Sequence, residues 1–212
     1  MSLADTRRDY QLHTLNESDI PATPHPLFDD WIAQALKSDA PDRTAMTLAT
    51  ATPDGKPSAR TVLLKGADER GLVFYTNYAS RKGQEIDANP NAAILFFWPD
   101  LERQIRATGV IEKTSAEDSD AYFATRPRES NLSAIASPQS QVVTSRDELE
   151  TKVAQVDARY PDQPLPRPEY WGGYRFVPDS FEFWQGGAAR THDRLRYTRQ
   201  EDGTWAIERL AP

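Results

Sequence analysis

A chain of 212 residues, with 38% hydrophobic and 27% charged side chains, can close one sizeable core, and it has no apolar run long enough to cross a bilayer. The absence of cysteine excludes disulfides, thiolate metal sites and cysteine nucleophiles, and His13, His25 and His192 are too scattered to form a metal-ligand set. A net charge of −7 argues against wrapping a polyanion such as DNA, although a few converging Arg and Lys can still bind one phosphate.

The N-terminus, MSLADTRRDYQL, lacks the apolar stretch of a secretory signal. A cytoplasmic location is expected, with neither membrane nor nucleic acid as partner. Residues 1–26 carry Pro21, Pro24 and Pro26 with little apolar periodicity and read as a mobile arm ahead of a single domain over 27–212. PLFDDWIAQALKSD (26–39) has Leu27, Trp31, Ala35 and Leu36 near helical spacing after a proline suited to a helix start. TAMTLATA and PSARTVLLKG flank Asp54-Gly55 and read as a hairpin. LVFYTN (72–77) is a further strand. SRKGQEIDANP (80–90) is a short helix capped by Ser80 and stopped before Pro90. AAILFFWPD and ERQIRATGVIEKT are strands, the first apolar enough to be central.

The pattern then turns helical. SAEDSDAYFATRP and SRDELETKVAQVDARY each open with a serine and an acid at capping-box spacing, Ser115 with Asp118 and Ser145 with Glu148. RESNLSAIAS is a short helix between them, and DQPLPRPE (162–169) a proline-rich connector. YRFVP, SFEFWQ, RLRYTR and TWAIERL return to strands, the last two around an Asp202-Gly203 turn. Antiparallel strands, then helices, then strands predict an α+β fold, mainly β: a barrel-like core with helices packed outside.

Nucleotide and hydrolase signatures such as GxGxxG, GxxxxGK[ST] and GxSxG are absent. What stands out is cations in awkward places. Arg81 and Lys82 occupy the first turn of a predicted helix, where the dipole favours acids but free N–H groups favour phosphate. Arg60 and Lys65 bracket RTVLLK with opposite strand parity, so they serve different ligands or straddle a bulge. Tyr122 and Arg126 share a helix face at i and i+4, and Ser130 follows the break at Pro127, a trio suited to a monophosphate. Gln104, Gln139 and Ser140 can hydrogen-bond a planar heterocycle, and Trp184 can stack on one. In FWQGGAARTHDRL an extended chain puts Arg190, His192 and Arg194 on one face, where their repulsion calls for an anionic ligand.

The ordered set RTVLLK, FYTN, SRK, LERQ, YFxxRPRxS, PQS, WGGYR, FWQGG, RxHDR and ERLAP, from about Arg7 to Pro212, closely resembles the pyridoxamine 5′-phosphate oxidase family. The resemblance implies an FMN-binding split β-barrel, homodimeric, with flavin sites at the subunit interface. It implies oxidation of pyridoxamine 5′-phosphate or pyridoxine 5′-phosphate to pyridoxal 5′-phosphate. A hydride passes from substrate C4′ to flavin N5, and O2 reoxidises the flavin to give H2O2. By motif, Arg60, Thr61, Val62, Leu63, Leu64, Lys65, Tyr75, Thr76, Arg81, Lys82, Gln104, Gln139, Ser140, Trp184 and Arg194 are implied to hold FMN. Lys65, Tyr122, Arg126 and Ser130 are implied to clamp the substrate phosphate. Arg190 and His192 are implied to be catalytic, holding the pyridine ring, with arm residues Arg7, Arg8, Asp9 and Tyr10 over the substrate. The family reads RLHDR where this chain has Thr191. By alternation Thr191 faces away from Arg190 and His192, and its hydroxyl would cost about 1–3 kcal/mol if buried unpaired. A phenazine-type split-barrel oxidase and a non-catalytic flavin- or vitamer-binding protein are the alternatives.

Overall fold

The computed structural model describes residues 9–39 and 41–212; Arg7 and Arg8, expected on the arm, lie outside the described residues. Helix α1 (Pro24–Lys37) precedes a hairpin of β1 (Ala45–Ala51) and β2 (Pro57–Leu63), then β3 (Gly66–Asp68), β4 (Gly71–Asn77), α2 (Arg81–Ala88), β5 (Asn91–Trp98) and β6 (Arg103–Lys113). Three helices follow, α3 (Ala116–Thr125), α4 (Arg128–Ala136) and α5 (Arg146–Arg159), then β7 (Trp171–Gln185), β8 (Asp193–Arg199) and β9 (Trp205–Arg209). The sheet order is β2-β1-β5-β6-β7-β4-β3, with β8 on β7 and β9 on β8, and every pairing is antiparallel.

The caps expected from sequence form: Ser80, Ser115 and Ser145 hydroxyls accept the backbone N–H of Gly83, Asp118 and Glu148, supplying orphan helix donors with partners. Alternation along β1 sends Met46, Leu48 and Thr50 inward. There they meet a core rich in aromatics, including Phe28, Trp31, Phe74, Phe96, Phe176, Phe181 and Phe183.

Two boundaries differ from those the sequence suggests. Helix α1 starts at Pro24, so a division after residue 26 falls inside it, and the preceding stretch lies against the body. Leu15 is buried in the core, and the Tyr197 hydroxyl donates to the Pro21 carbonyl at 2.8 Å. YRFVP and SFEFWQ are halves of one 15-residue strand. The register of β6 against β7 shifts between Thr108 and Gly109, opposite Pro178. A bulge tolerates the missing N–H of proline, and a Cβ at Gly109 would sit 2.1 Å from the Val177 carbonyl oxygen. There β7 changes partners, pairing with β4 over 171–176 and with β8 over 180–185. One bent strand thus ties two half-sheets together and carries site residues at both ends. No helix among the described residues is long and apolar enough to cross a membrane.

Candidate active site

A cleft of about 690 Å³ opens where β2, β4, the start of α2 and the α3–α4 pair converge. Arg60, Thr61, Val62, Leu63 and Lys65 line one wall; Tyr75, Thr76 and Lys82 form the floor. Tyr122, Arg126 and Ser130 come from α3 and α4, and Gln139 and Ser140 from the loop beyond. Leu64 is the exception in its run: it is buried in the core, and its N–H donates to the Thr44 carbonyl. Because β2 ends at Leu63, the strand alternation lapses, and Arg60 and Lys65 face one cleft despite their opposite parity.

The cleft wall holds four basic side chains, Arg60, Lys65, Lys82 and Arg126, and no acid, in a chain with 32 acids and 25 bases. Burial pulls Lys82 below the usual lysine range, and the nearby Arg60 charge adds to this. Its ammonium reaches Thr76 Oγ1 at 3.1 Å and Gln139 Oε1 at 3.2 Å. Burial also lowers Arg126, which lies 4.5 Å over the Trp171 ring and donates to Asn131 Oδ1 and the Ser130 carbonyl. Helix α3 ends at Thr125, so Arg126 is its extended cap and not part of its last turn. Tyr122 stacks on Tyr75 at 3.8 Å, and burial pushes both hydroxyls above the usual tyrosine range. Desolvated cations beside hydroxyl and amide donors form a site that an anionic ligand would relieve. That donor set fits the phosphate and polar ring edge of FMN.

Beneath this wall, Glu85 is 6% exposed, and its carboxylate accepts from Thr50 (2.6 Å), Ser58 (2.5 Å), Arg60 (3.0 Å) and Arg81 (2.8 Å). Burial alone would raise its pKa, but the bonds from Ser58, Thr50, Arg81 and Arg60 outweigh it and hold the group at about 2. Arg81 therefore points to Glu85 and is not part of the cleft wall. The folded pKa lies below the ordinary glutamate value of 4.5, so this stabilisation is complete above about pH 4.5 and drains away as pH falls towards 2. The melting-temperature gap between the parent protein and Glu85→Gln is expected to shrink across that window; a gap unchanged from pH 6 to pH 2.5 would refute the assignment.

A second cluster lies at the far end of β7. Gln104, Trp184 and Arg194 sit opposite one another across β6, β7 and β8. His192 packs 4.7 Å from Trp184, and Tyr10 stands edge-on to both at 5.6 and 5.7 Å. Asp9 is exposed. Arg194 donates to Glu182 Oε1 at 2.9 Å, a bond that raises its pKa; Glu182 also holds Arg106 at 2.8 Å.

The extended alternation expected for Arg190, His192 and Arg194 does not form. Strand β8 starts at Asp193, and Ala188–Arg190 make a short 3-10 turn, with Arg190 at φ 64°. The turn shares the His192 ring: the Gly187 N–H donates to His192 Nδ1 at 3.1 Å, so a neutral imidazole carries its proton on Nε2. Thr191 is exposed, and its hydroxyl donates to the Ala188 carbonyl at 2.7 Å. The buried-hydroxyl cost considered for it does not arise.

The cleft and the second cluster share no residue. Trp171, beside Arg126, and Trp184, beside His192, are separated by about 40 Å of strand contour. Sequence reasoning missed Glu85, Asn131, Trp171 and Glu182. Only the i,i+4 spacing of Arg81 and Glu85 on a predicted helix offered a signal; the others become partners through folding.

A bent antiparallel sheet with a cationic cleft beside its helices is the architecture of FMN-binding split-barrel proteins. A pyridoxamine 5′-phosphate oxidase-related, FMN-binding protein from Nostoc punctiforme superposes at a TM-score of 0.71 with 20% identity, over 91% of this chain and 100% of that one. PhzG from Burkholderia lata 383, solved with tetrahydrophenazine-1-carboxylic acid, superposes at 0.88 with 32% identity, over 95% and 99%. The sequence profile described as pyridoxamine 5′-phosphate oxidase matches residues 32–160, and that of the pyridoxine 5′-phosphate oxidase C-terminal dimerisation region matches residues 171–212. Pyridoxine/pyridoxamine 5′-phosphate oxidases from Bordetella petrii and Paraburkholderia phytofirmans are 56% and 54% identical over 212 residues, covering 100% of this chain and 100% and 99% of theirs. The chain belongs to the pyridoxamine 5′-phosphate oxidase family. It is an oxidoreductase with FMN as its cofactor.

Proposed function

We propose that this protein works as a homodimer and oxidises pyridoxamine 5′-phosphate or pyridoxine 5′-phosphate to pyridoxal 5′-phosphate, with O2 as the final acceptor. The observation that carries this reading is the cleft wall of four bases and no acid. Two phosphates, one on FMN and one on the substrate, call for such a wall. Arg60 and Lys82, with Thr76, Gln139 and Ser140, form the group that would hold FMN. Lys65, Tyr122, Arg126 and Ser130 lie in the same cleft and would grip the substrate phosphate.

FMN, when bound, supplies the two-electron acceptor. The protein's part is positioning. Trp171 and the Tyr75–Tyr122 stack wall the cleft with aromatic faces. His192, its Nδ1 occupied by Gly187, has Nε2 left to donate. The Trp184–His192 cluster lies within the matched dimerisation region, residues 171–212, at the opposite end of β7 from Trp171 and with no residue in the cleft of its own chain. In this reading it closes on the cleft of a second copy. Oxidation of the amine consumes O2 and water and yields aldehyde, ammonia and H2O2.

The test is aerobic turnover of pyridoxamine 5′-phosphate by FMN-loaded protein, with unphosphorylated pyridoxamine alongside. Equimolar pyridoxal 5′-phosphate and H2O2 are expected from the phosphate ester, with little from the free amine. Bound FMN without product from either would leave a vitamer- or flavin-binding protein. The likeness to PhzG favours a second reading, oxidation of a reduced phenazine. Turnover of tetrahydrophenazine-1-carboxylic acid without turnover of the phosphate ester would establish that instead.

A further inference from the structure

Residues 10–21 are held to the body largely through their backbone. The Glu102 carboxylate oxygen Oε2 accepts the N–H of Gln11 at 2.8 Å and of Leu12 at 3.0 Å. Further along, Asp193 Oδ2 accepts the Leu15 N–H at 2.9 Å. Arg209 ties Asp193, Glu17 and the Leu15 carbonyl together. Tyr10, one residue before the Glu102 contacts, is the side chain this fastening sets edge-on to Trp184 and His192. Its side chain rests on Gly186, where an added Cβ would lie 2.7 Å from Tyr10 Cβ and 2.8 Å from Cγ.

Glu102 is an unusual residue for its position. It is 3% exposed and left-handed, φ 53° and ψ 38°, at the end of the short turn Pro99–Leu101. Glycine adopts that conformation freely and glutamate does not. The backbone there is engaged separately, since the Glu102 carbonyl accepts from Gly186 N at 2.7 Å and Gln185 Nε2 at 3.1 Å. Glycine would serve for the turn and the carbonyl alone. What the carboxylate adds is the fastening of the arm. A side chain kept in a sparsely populated conformation beside a site points to function.

We propose that Glu102 is a positioning residue of this oxidase: its buried carboxylate latches the N-terminal segment so that Tyr10 closes over Trp184 and His192 on the substrate side. The catalytic half of this inference rests on the oxidase reading; the latch itself does not. Glu102 does not line the cleft. It acts through Tyr10, and the effect belongs in substrate capture more than in flavin affinity.

The test uses FMN-loaded, full-length protein and two variants that attack the latch from opposite sides. Glu102→Gly keeps the left-handed turn and removes the carboxylate, while Gly186→Ala keeps the carboxylate and pushes Tyr10 off its seat. Chymotrypsin cleavage after Tyr10 and Leu12 is expected to be about tenfold faster in each, because a released segment opens locally without global unfolding. KM for pyridoxamine 5′-phosphate is expected to rise roughly three- to tenfold, at unchanged FMN affinity and melting temperature. Glu102→Gln, which retains an acceptor oxygen, should restore much of the protection. Cleavage and KM equal to those of the parent protein would overturn the proposal. A fall in FMN affinity and melting temperature parallel to the rise in KM would overturn it too, since that marks a merely structural role. If the parent protein forms no pyridoxal 5′-phosphate but cleavage still accelerates in both variants, the latch stands and only the oxidase reading falls.

Discussion

Replacing Arg126 with alanine is expected to raise KM for pyridoxamine 5′-phosphate roughly ten- to a hundredfold, the loss of one charge-assisted contact of about 1.5–3 kcal/mol. Arg126 is set for this by three things: the Trp171 face at 4.5 Å, the Asn131 amide oxygen at 3.0 Å and the Ser130 carbonyl at 3.2 Å. A planar guanidinium held this way loses little freedom when it grips a phosphate, which is why Arg126→Lys should recover only part of the affinity. Unphosphorylated pyridoxamine offers Arg126 no partner, so whatever turnover it supports should barely change. FMN content of the variant, read from flavin absorbance, should match the parent protein. A KM equal to that of the parent protein would remove Arg126 from the clamp.

Substituting Arg190 with glycine should instead depress kcat, by about ten- to a hundredfold, because misplacing a reacting group costs rate at the transition state. Glycine is the informative choice. Arg190 has φ 64°, which glycine adopts without strain, so the turn and the Gly187–His192 bond should survive. A kcat matching that of the parent protein would mean that Arg190 does not touch the reacting ring. The same pair of variants tests how the two clusters meet. If the Trp184–His192 cluster of one subunit serves the cleft of the other, a heterodimer of the Arg126→Ala and Arg190→Gly chains has one intact site and one doubly damaged site. Random subunit mixing should then recover about a quarter of the parent activity. With each site built from one chain, every site would keep one lesion and mixing would recover nothing.

Local signals in the sequence located most of the elements. The capping serines and the Asp54-Gly55 hairpin turn depend on contacts a few residues apart, and each formed as expected. Most of the cleft was legible as well. Lys82 stands in the first turn of a helix, where the dipole disfavours a cation. Arg60, Lys65 and Arg126 lie in motifs ordered as in the oxidase family. The order of the motifs, more than any one placement, pointed to a ligand. The alternation of Arg190, His192 and Arg194 failed because it assumed an extended chain. The segment instead turns at Ala189 and Arg190, both with positive φ, a conformation no pattern of polar and apolar residues announces.

By itself, then, the amino-acid sequence determined the inventory: an α+β chain without cysteine, a set of displaced cations, and motifs ordered as in one oxidase family. Composition and short-range capping are enough for that, since they need only near neighbours along the chain. Tertiary structure alone decided how the inventory is wired. Glu85 lies beneath Arg60, Asn131 and Trp171 hold Arg126, and Glu102 fastens a segment about 90 residues away, while the single 15-residue strand β7 carries the two clusters at its opposite ends. Most of these are buried or half-buried polar and aromatic contacts between segments that the chain itself does not place side by side. Their worth comes from desolvation and close partnering, and neither exists until the core has closed around them.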